Sequence, residues 1–222
     1  MQQTEAIVML DVGNVLFTFL PWPERITRIV RAYGGQEGCE TWFSGMWGRS
    51  LMGAVESGSM SQRQLWKYVC RKSGISHHRL PEQLFAGLYA QHLQPILGAI
   101  EIAQQVQKQH PLVAVSDGDL GSRYALDLLT MPPYNMQFLE TYVSCERHVR
   151  KPLLYAYAMQ DLWNKHGITV DRYVCVDNIS SYVDFVRDFG GRGISFNGSQ
   201  EPAEMLRWRL QNEGINTQIV LQ

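Results

Sequence analysis

The sequence lacks the features that mark several classes of protein. It carries no surplus of either charge, because 20 basic and 21 acidic residues give a formal net charge of −1. No apolar run approaches the ~20 residues that cross a bilayer. The first ten residues, MQQTEAIVML, have neither the basic flank nor the cleavage site of a secretory signal peptide. These absences predict a cytoplasmic protein whose partners are neither nucleic acid nor membrane.

Cysteine is also scarce, and its spacing is uninformative. The four cysteines lie far apart and form no C-x-x-C pair; they are Cys39, Cys70, Cys145 and Cys175. A reduced protein that uses its thiols as small apolar residues fits this pattern. What the chain does have is a hydrophobic fraction of 45% over 222 residues. That is enough for one large domain, or for a core domain with a smaller insert. The oligomeric state stays open.

Short apolar segments alternate with helical patterns along most of the chain. Strands buried on both faces in a parallel sheet have this composition. The helical patterns cover Pro95–Gln109, Lys151–Gly167 and Ser180–Gly191. The alternation predicts an α/β fold with a doubly wound, Rossmann-like parallel sheet. The predicted strands are Ala6–Leu10, Pro111–Asp117, Phe138–Glu146, Arg172–Asn178, Gly191–Gly198 and Thr217–Gln222.

One stretch breaks the alternation directly after the first strand. Between residues 18 and 94 the sequence shows helical patterns, such as Pro23–Gly35 and Ser61–Gly74, and no convincing strand. We therefore expect a core domain made of residues 1–17 and 95–222, with a helical cap domain of residues 18–94 inserted above the end of the first strand. We call residues 18–94 the cap segment.

Reactive side chains follow several of the predicted strands. Ligands of open α/β sheets bind beyond the carboxyl ends of the strands, so these side chains should meet at one edge. Two carboxylates there suit Mg²⁺, which prefers oxygen ligands. A hydroxyl and an amine suit a phosphate, and a carboxylate can act as a nucleophile. The residues delivered to this edge are Asp11, Ser116, Asp117, Lys151, Asp177 and Asn178.

In this order, the motifs resemble those of the haloacid dehalogenase superfamily, most of whose members are Mg²⁺-dependent phosphatases. The first motif matches DVGNVL (Asp11–Leu16), and the second matches Ser116 in VAVSDG. The third is Lys151 in RHVRKP, and the fourth is the VDN sequence that holds Asp177 and Asn178. The helical insert resembles a cap of the first type, which indicates subfamily I, and ESGSMSQRQLW (residues 56–66) resembles a recurrent part of that cap. The D-x-G-N-V form resembles a branch that contains glucose-1-phosphate phosphatases.

The resemblance implies roles for individual residues. Asp11 would be the nucleophile that forms an aspartyl phosphate, with Ser116 and Lys151 as further catalytic residues that neutralise charge. Ser116, Asp117 and Lys151 would bind the phosphate. The implied substrate is a small phosphorylated metabolite. The implied cofactor is Mg²⁺, held by Asp11, the backbone carbonyl of Gly13, Asp177 and Asn178.

Two positions depart from the family pattern. Most relatives carry a second aspartate, a general acid and base, where this chain has Gly13; the glycine keeps the carbonyl and loses the carboxylate. Three interpretations follow: another acid such as Asp117 or Asp119 substitutes, the substrate has a good leaving group, or turnover is vestigial. Asn178 replaces an aspartate of many relatives, which predicts weaker Mg²⁺ binding.

Two alternatives to a phosphatase remain at this stage. A carbon–halogen hydrolase of the same fold uses an aspartate nucleophile and needs no acid at position 13; it also needs no metal, which makes Asp177 harder to explain. A catalytically impaired protein that binds phosphate compounds for regulation is the other.

Overall fold

The computed structural model describes residues 6–217. Five of its strands form one parallel sheet, in which the first strand is central, and two short strands pair separately. The strands are β1 (Ile7–Leu10), β2 (Phe17–Phe19), β3 (Leu93–Pro95), β4 (Leu112–Ser116), β5 (Phe138–Val143), β6 (Tyr173–Asp177) and β7 (Arg192–Ser195). The order in the large sheet is β5-β4-β1-β6-β7. The connections therefore reverse direction beside β1, and this switch point is where ligands of such sheets bind.

Helices lie between the strands and on both sides of the sheet. Those of the cap segment are α1 (Trp22–Ala32), α2 (Cys39–Ser44), α3 (Met46–Glu56), α4 (Gln62–Ser73) and α5 (Glu82–Ala90). Those that follow are α6 (Leu97–Val106), α7 (Leu120–Thr130), α8 (Ser144–Arg147), α9 (Leu153–His166), α10 (Ser180–Asp188) and α11 (Ala203–Asn212). Within residues 6–217, no helix combines the length and the apolar character needed to cross a membrane.

Alternating side chains of β1 face two separate hydrophobic clusters. Val8 and Leu10 pack with residues of α6, α7 and α11 on one face of the sheet. Ile7 and Met9 pack with residues of α9 and α10 on the other face. Since both faces are covered, the predicted doubly wound parallel α/β fold is confirmed. The predicted strand Thr217–Gln222 falls outside the described residues except for Thr217.

The cap segment has a hydrophobic cluster of its own. Buried side chains from α1 to α5 and the loops between them form this cluster, and no residue of the sheet takes part in it. We propose that the cap segment is a separate helical domain, as the sequence predicted. The prediction of no strand here was incomplete, because β2 and β3 pair antiparallel at the two ends of the segment, with Phe17 opposite Pro95. Three-residue strands are too short to show a periodicity.

Candidate active site

The sheet order brings the predicted strand-end residues to one place. Asp11 follows β1, Ser116 ends β4 and Asp177 ends β6, and β4 and β6 are the two neighbours of β1. The backbone N–H of Asp11 donates to the carbonyl of Val176, 2.9 Å away, which extends the pairing of β1 with β6 by one residue. The carboxylate of Asp11 is thereby fixed beside the end of β6.

Lys151 lies between the two carboxylates. Its Nζ is 2.7 Å from Oδ1 of Asp11 and 2.6 Å from Oδ2 of Asp177. All three side chains are buried. Buried ions persist only where partners offset the loss of hydration, and here one ammonium serves two carboxylates. The cluster therefore keeps one negative charge in excess.

Burial and the neighbouring charges shift the pKa values of Asp11 and Lys151. Burial raises the pKa of Asp11 to about 7, against the attraction of Lys151 and with the added repulsion of Asp177. Burial by itself lowers the pKa of Lys151, but the two carboxylates outweigh it and raise that pKa above its usual value. Lys151 is thus a permanent cation. A further cation beside Asp11 would lower the pKa of its carboxyl group and favour the ionised form.

Asp177 is held by two further donors. The hydroxyl of Tyr155 donates to Oδ2 at 2.8 Å, and the backbone N–H of Ile179 donates to Oδ1 at 2.8 Å. Both carboxylate oxygens of Asp177 are therefore engaged. The sequence reasoning missed Tyr155. A signal was available, because Tyr155 lies four residues after Lys151 at the start of a predicted helix, a spacing that places two side chains on one face.

The other oxygen of Asp11 belongs to a group of possible metal ligands. Oδ2 of Asp11 and the carbonyl oxygen of Gly13 lie 3.1 and 3.2 Å from one atom of the Asn178 side-chain amide. With the amide nitrogen in that position, it donates to both oxygens. With the amide oxygen there, three oxygens face one another with no hydrogen between them.

Three such oxygens fit a hard divalent cation. Mg²⁺–oxygen distances are about 2.1 Å in an octahedron, which separates adjacent ligand oxygens by about 3 Å. The two separations around Asn178 match that spacing when the amide oxygen faces the group, and they match hydrogen-bond lengths when the nitrogen does. Among the described residues, no three His, Cys, Asp or Glu side chains form a group that could hold a metal ion. The candidate site depends instead on one carboxylate, one backbone carbonyl and one amide.

Ser116 and Asp117, the other predicted phosphate ligands, differ in what their side chains do. Ser116 is fully buried, and its Oγ has no hydrogen-bond partner among the described residues. Asp117 accepts a hydrogen bond from the backbone N–H of Lys151 at 2.7 Å, and its other oxygen lies 3.6 Å from Arg150. The Asp117 side chain therefore orders the chain before α9, and the role of Asp117 as a phosphate ligand stays a prediction.

The backbone conformation at position 13 does not require a glycine. Its φ lies outside the left-handed region, which the next residue, Asn14, adopts with φ 56°. A Cβ atom at position 13 would lie 3.6 Å from the Phe19 ring and 3.9 Å from Oδ2 of Asp11, both ordinary contacts. The site has room for a side chain here, so the missing carboxylate is not imposed by geometry.

A cavity of about 270 Å³ lies beside these residues, between the cap segment and the ends of the strands. A larger hollow of about 730 Å³ on α4 and the loop after it holds none of the strand-end residues. The smaller cavity is lined by Gly13 and Asp117, which lie just after Asp11 and Ser116 in the sequence, and we take it as the substrate site. The buried side chains of Asp11, Ser116, Lys151 and Asp177 lie behind its walls and are not part of them. Its walls are formed by Gly13, Phe19, Leu20, Pro21, Trp22, Arg25, Met52, Glu56, Asp117, Gly118, Asp119 and Ser122.

Two contacts join the cap segment to the core at this cavity. Glu56, the last residue of α3, pairs with Arg150 at 2.6 Å, and its carbonyl accepts from Ser144 Oγ at 2.7 Å. The same Ser144 oxygen accepts from the backbone N–H of Gly118 at 2.9 Å. Burial raises the pKa of the Glu56 carboxyl group, against the attraction of Arg150. Arg150 is shared, because it also approaches Asp117.

Asp119 contacts the cap segment as well. It caps α7 by accepting from the backbone N–H of Gly121 at 2.7 Å. Its other oxygen accepts from the hydroxyl of Tyr89 and lies 3.6 Å from Arg25. Both oxygens of Asp119 are therefore engaged, which does not favour it as a substitute for the acid that Gly13 lacks. Burial raises the pKa of the Asp117 carboxyl group, against the hydrogen bond from the Lys151 backbone, so Asp117 stays a candidate for that acid.

Comparisons with known proteins identify the fold. A scan against protein-family models finds no match, and a search of the curated proteins finds none either. Solved structures do match. A HAD family enzyme from Bacteroides thetaiotaomicron, in complex with magnesium and inorganic phosphate, gives a TM-score of 0.69 at 13% identity, over 91% of this chain and 100% of that one.

Two further structures show the range of proteins with this fold. A protein from Porphyromonas gingivalis, described as a predicted HAD-like family hydrolase, gives a TM-score of 0.68 at 18% identity, over 93% of this chain and 98% of that one. The L-2-haloacid dehalogenase from Xanthobacter autotrophicus, with chloropropionic acid covalently bound, gives a TM-score of 0.55 at 17% identity. The match covers 96% of this chain and 85% of that one. The predicted haloacid dehalogenase fold is confirmed, and the glucose-1-phosphate phosphatase-like branch stays a prediction.

Proposed function

We propose that the protein is a Mg²⁺-dependent phosphomonoester hydrolase that acts on a small phosphorylated metabolite through an aspartyl phosphate. One observation carries the proposal: the two oxygens of Asp11 face different groups. Oδ1 contacts Lys151, and Oδ2 faces the Gly13 carbonyl and the amide of Asn178. A nucleophile, an anion-binding ammonium and a set of metal ligands thus meet at one carboxylate.

Asp11, the Gly13 carbonyl and Asn178 are the residues that would hold Mg²⁺, with Asp177 adding negative charge next to them. Bound there, Mg²⁺ would neutralise the phosphoryl group and the excess charge of the carboxylates. The magnesium and phosphate complex of the Bacteroides thetaiotaomicron enzyme supports this assignment by analogy. Without a cation, the approach of a phosphate dianion to Asp11 and Asp177 would be opposed by their charge.

The chain's own groups account for the first step. Asp11 attacks phosphorus, its carboxylate oxygen forms the new bond, and the leaving oxygen takes the electron pair of the broken bond. Lys151 and the unpartnered hydroxyl of Ser116 donate to phosphoryl oxygens. Water then hydrolyses the aspartyl phosphate. Because both donors are buried and the two carboxylates hold Lys151 in place, positioning and electrostatics supply most of the rate.

A second candidate function is carbon–halogen hydrolysis. Gly13 favours it, because this reaction needs no acid two residues after the nucleophile, and the Xanthobacter autotrophicus enzyme has the same fold. The Asp11 and Gly13 oxygens that converge beside Asn178 favour the phosphatase, since a dehalogenase has no use for metal ligands. A third possibility is a protein that binds phosphate compounds without turning them over.

One experiment separates the three. Purified protein is incubated with p-nitrophenyl phosphate, acetyl phosphate and a panel of phosphorylated metabolites, with Mg²⁺ or with chelator, and in parallel with 2-chloropropionate. The proposal predicts phosphate release that requires Mg²⁺ and is lost in Asp11→Asn. Chloride release in chelator would establish the dehalogenase instead. Binding of orthophosphate without any turnover would support the regulatory alternative.

A further inference from the structure

A buried arginine of the cap segment lines the substrate cavity without a full set of hydrogen bonds. Arg25 belongs to α1, and its side chain is only 5% exposed. Two of its nitrogens, Nε and Nη1, are buried and have no hydrogen-bond partner among the described residues. A guanidinium group has five N–H donors and no acceptor. Any group that satisfies these nitrogens must therefore supply an acceptor atom.

The neighbours of Arg25 offset its charge but not its hydrogen bonds. The guanidinium lies 4.3 Å from the centre of the Tyr89 ring, an attractive cation–π distance. Its Nη2 is 3.6 Å from Asp119, which is an ion pair but too long for a hydrogen bond. Buried donors left without acceptors are costly. The acceptor that they lack can come from a substrate bound in the cavity that Arg25 lines.

The position of Arg25 indicates which part of the substrate it meets. Its contacts are with Tyr89, Asp119 and the Phe19 ring, 5.9 Å away, and not with the residues proposed to hold the phosphoryl group. It is a wall of the same cavity as Gly13. With the phosphoryl group at Asp11, a leaving group that extends past Gly13 would enter the cavity that Arg25 lines.

The charges around the cavity select the kind of acceptor. Three carboxylates, of Glu56, Asp117 and Asp119, line it. Two cations pair with them: Arg150 with the first two and Arg25 with the third. Each cation of this wall already faces a carboxylate, so a carboxylate on the leaving group would find no unpaired cation. A hydrocarbon would leave the Arg25 donors unpaired, whereas a hydroxyl or carbonyl oxygen satisfies them without adding charge.

We propose that Arg25 is a specificity-determining residue, which donates hydrogen bonds to an uncharged oxygen on the leaving group of the substrate. The inference rests on the proposed phosphatase function, since it assumes that the phosphoryl group lies at Asp11. It places the preferred substrates among phosphomonoesters of hydroxylated or carbonyl-bearing alcohols.

A series of three-carbon substrates tests the proposal. The value of kcat/KM is measured for propyl phosphate, glycerol 3-phosphate and 3-phosphoglycerate, with Mg²⁺ present. We expect the wild-type protein to prefer glycerol 3-phosphate over propyl phosphate by roughly 10- to 100-fold, the usual effect of a hydrogen bond to a charged group. Arg25→Met should lose most of that preference. Butyl phosphate and erythritol 4-phosphate repeat the comparison with a longer leaving group.

The preference is the ratio of two kcat/KM values measured with the same protein sample. Partial unfolding of a variant lowers both values by the same factor and leaves their ratio unchanged. Arg28→Met is the matched control: it lies on the same helix but is 55% exposed and pairs with Glu24. It should keep the wild-type ratio. If Arg25→Met does not fold because Asp119 loses its partner, the double variant with Asp119→Asn removes both charges and gives the same readout.

The outcomes distinguish the two proposals. If p-nitrophenyl phosphate is not hydrolysed by the wild-type protein, the proposed function fails. If it is hydrolysed, but the substrates of the series show no hydroxyl preference or 3-phosphoglycerate is the best of them, the inference about Arg25 alone is overturned. An unchanged preference in Arg25→Met also overturns it.

Discussion

Replacing Gly13 with aspartate should restore a general acid that the site lacks. The substitution is sterically possible, because the φ of residue 13 lies outside the left-handed region and a Cβ atom there makes only ordinary contacts. That Cβ would be 3.9 Å from Oδ2 of Asp11. The new carboxyl group would thus lie next to an existing negative charge, which raises its pKa and favours the protonated form that an acid needs.

The expected effect depends on the leaving group. An alkoxide must be protonated as it departs, whereas p-nitrophenolate and acetate leave without a proton. General acid catalysis contributes about 10²- to 10⁴-fold, which corresponds to about 2.7–5.4 kcal/mol of barrier. We expect Gly13→Asp to raise kcat/KM for alkyl phosphates by up to that factor and to change p-nitrophenyl phosphate and acetyl phosphate turnover little.

The assay is a set of aryl and alkyl phosphates that spans a wide range of leaving-group pKa, measured with the wild-type protein and Gly13→Asp. The wild-type rate should fall steeply as the leaving-group pKa rises, and the variant should show a shallower slope. Gly13→Asn is the matched control, because it has nearly the same shape but no carboxylic proton. It should keep the steep slope.

A shallow slope in the wild-type protein would refute this reasoning. It would mean that another acid already protonates the leaving group. Asp117 and Glu56 would then be the first residues to examine, since both line the cavity and burial raises the pKa of each carboxyl group. An equal gain in Gly13→Asn would also refute it, because the effect would then come from shape.

Three further predictions concern the carboxylate cluster. Asp177→Ala should raise the Mg²⁺ concentration needed for half-maximal activity at least ~10-fold, since it removes a charge beside the metal ligands; the exposed Asp188→Ala should not. Because the pKa of Asp11 is raised to about 7, a proton competes with Mg²⁺, and calorimetry should find about tenfold weaker binding at pH 6 than at pH 8. Equal Mg²⁺ affinity at pH 6 and pH 8 would contradict this competition. Tyr155→Phe should lower the free energy of unfolding in urea by about 1.5–3 kcal/mol, unlike Tyr157→Phe on the same helix.

The main features of the site could be predicted from the sequence because the fold itself brings strand ends together. Lys151 and Asp11 are 140 residues apart, yet their side chains are in contact. Each could be placed by local pattern alone. Asp11 follows an apolar strand, and Lys151 precedes a helix that begins after a proline. Once the sheet is known to be parallel and doubly wound, its switch point determines where these side chains meet.

The cap segment was harder to predict because its contacts depend on side-chain packing. Arg25 and Tyr89 come from different helices and meet Asp119 of the core. No spacing in the sequence relates these three residues. From the sequence, Asp119 was a candidate for the substitute acid, whereas in the structure it caps α7 and also contacts Tyr89 and Arg25 of the cap segment.

The pairing of β2 with β3 was missed for a related reason. Phe17–Phe19 continues the apolar composition of the first strand, and Leu93–Pro95 includes a proline, which weakens a strand pattern. Each segment becomes a strand only because the other lies beside it. Local propensity cannot report a pair of short strands that lie more than 70 residues apart in sequence.

The most direct test of the central claim is detection of the covalent phosphoenzyme. The protein is mixed with acetyl phosphate and Mg²⁺, quenched in acid within the first turnover, digested and examined by mass spectrometry. The account predicts one added phosphoryl group on the peptide that contains Asp11, and no adduct in Asp11→Asn with an unchanged circular dichroism spectrum. Rapid phosphate release accompanied by an adduct on another residue, or by Asp11→Asn turnover above a few per cent of wild type, would contradict it.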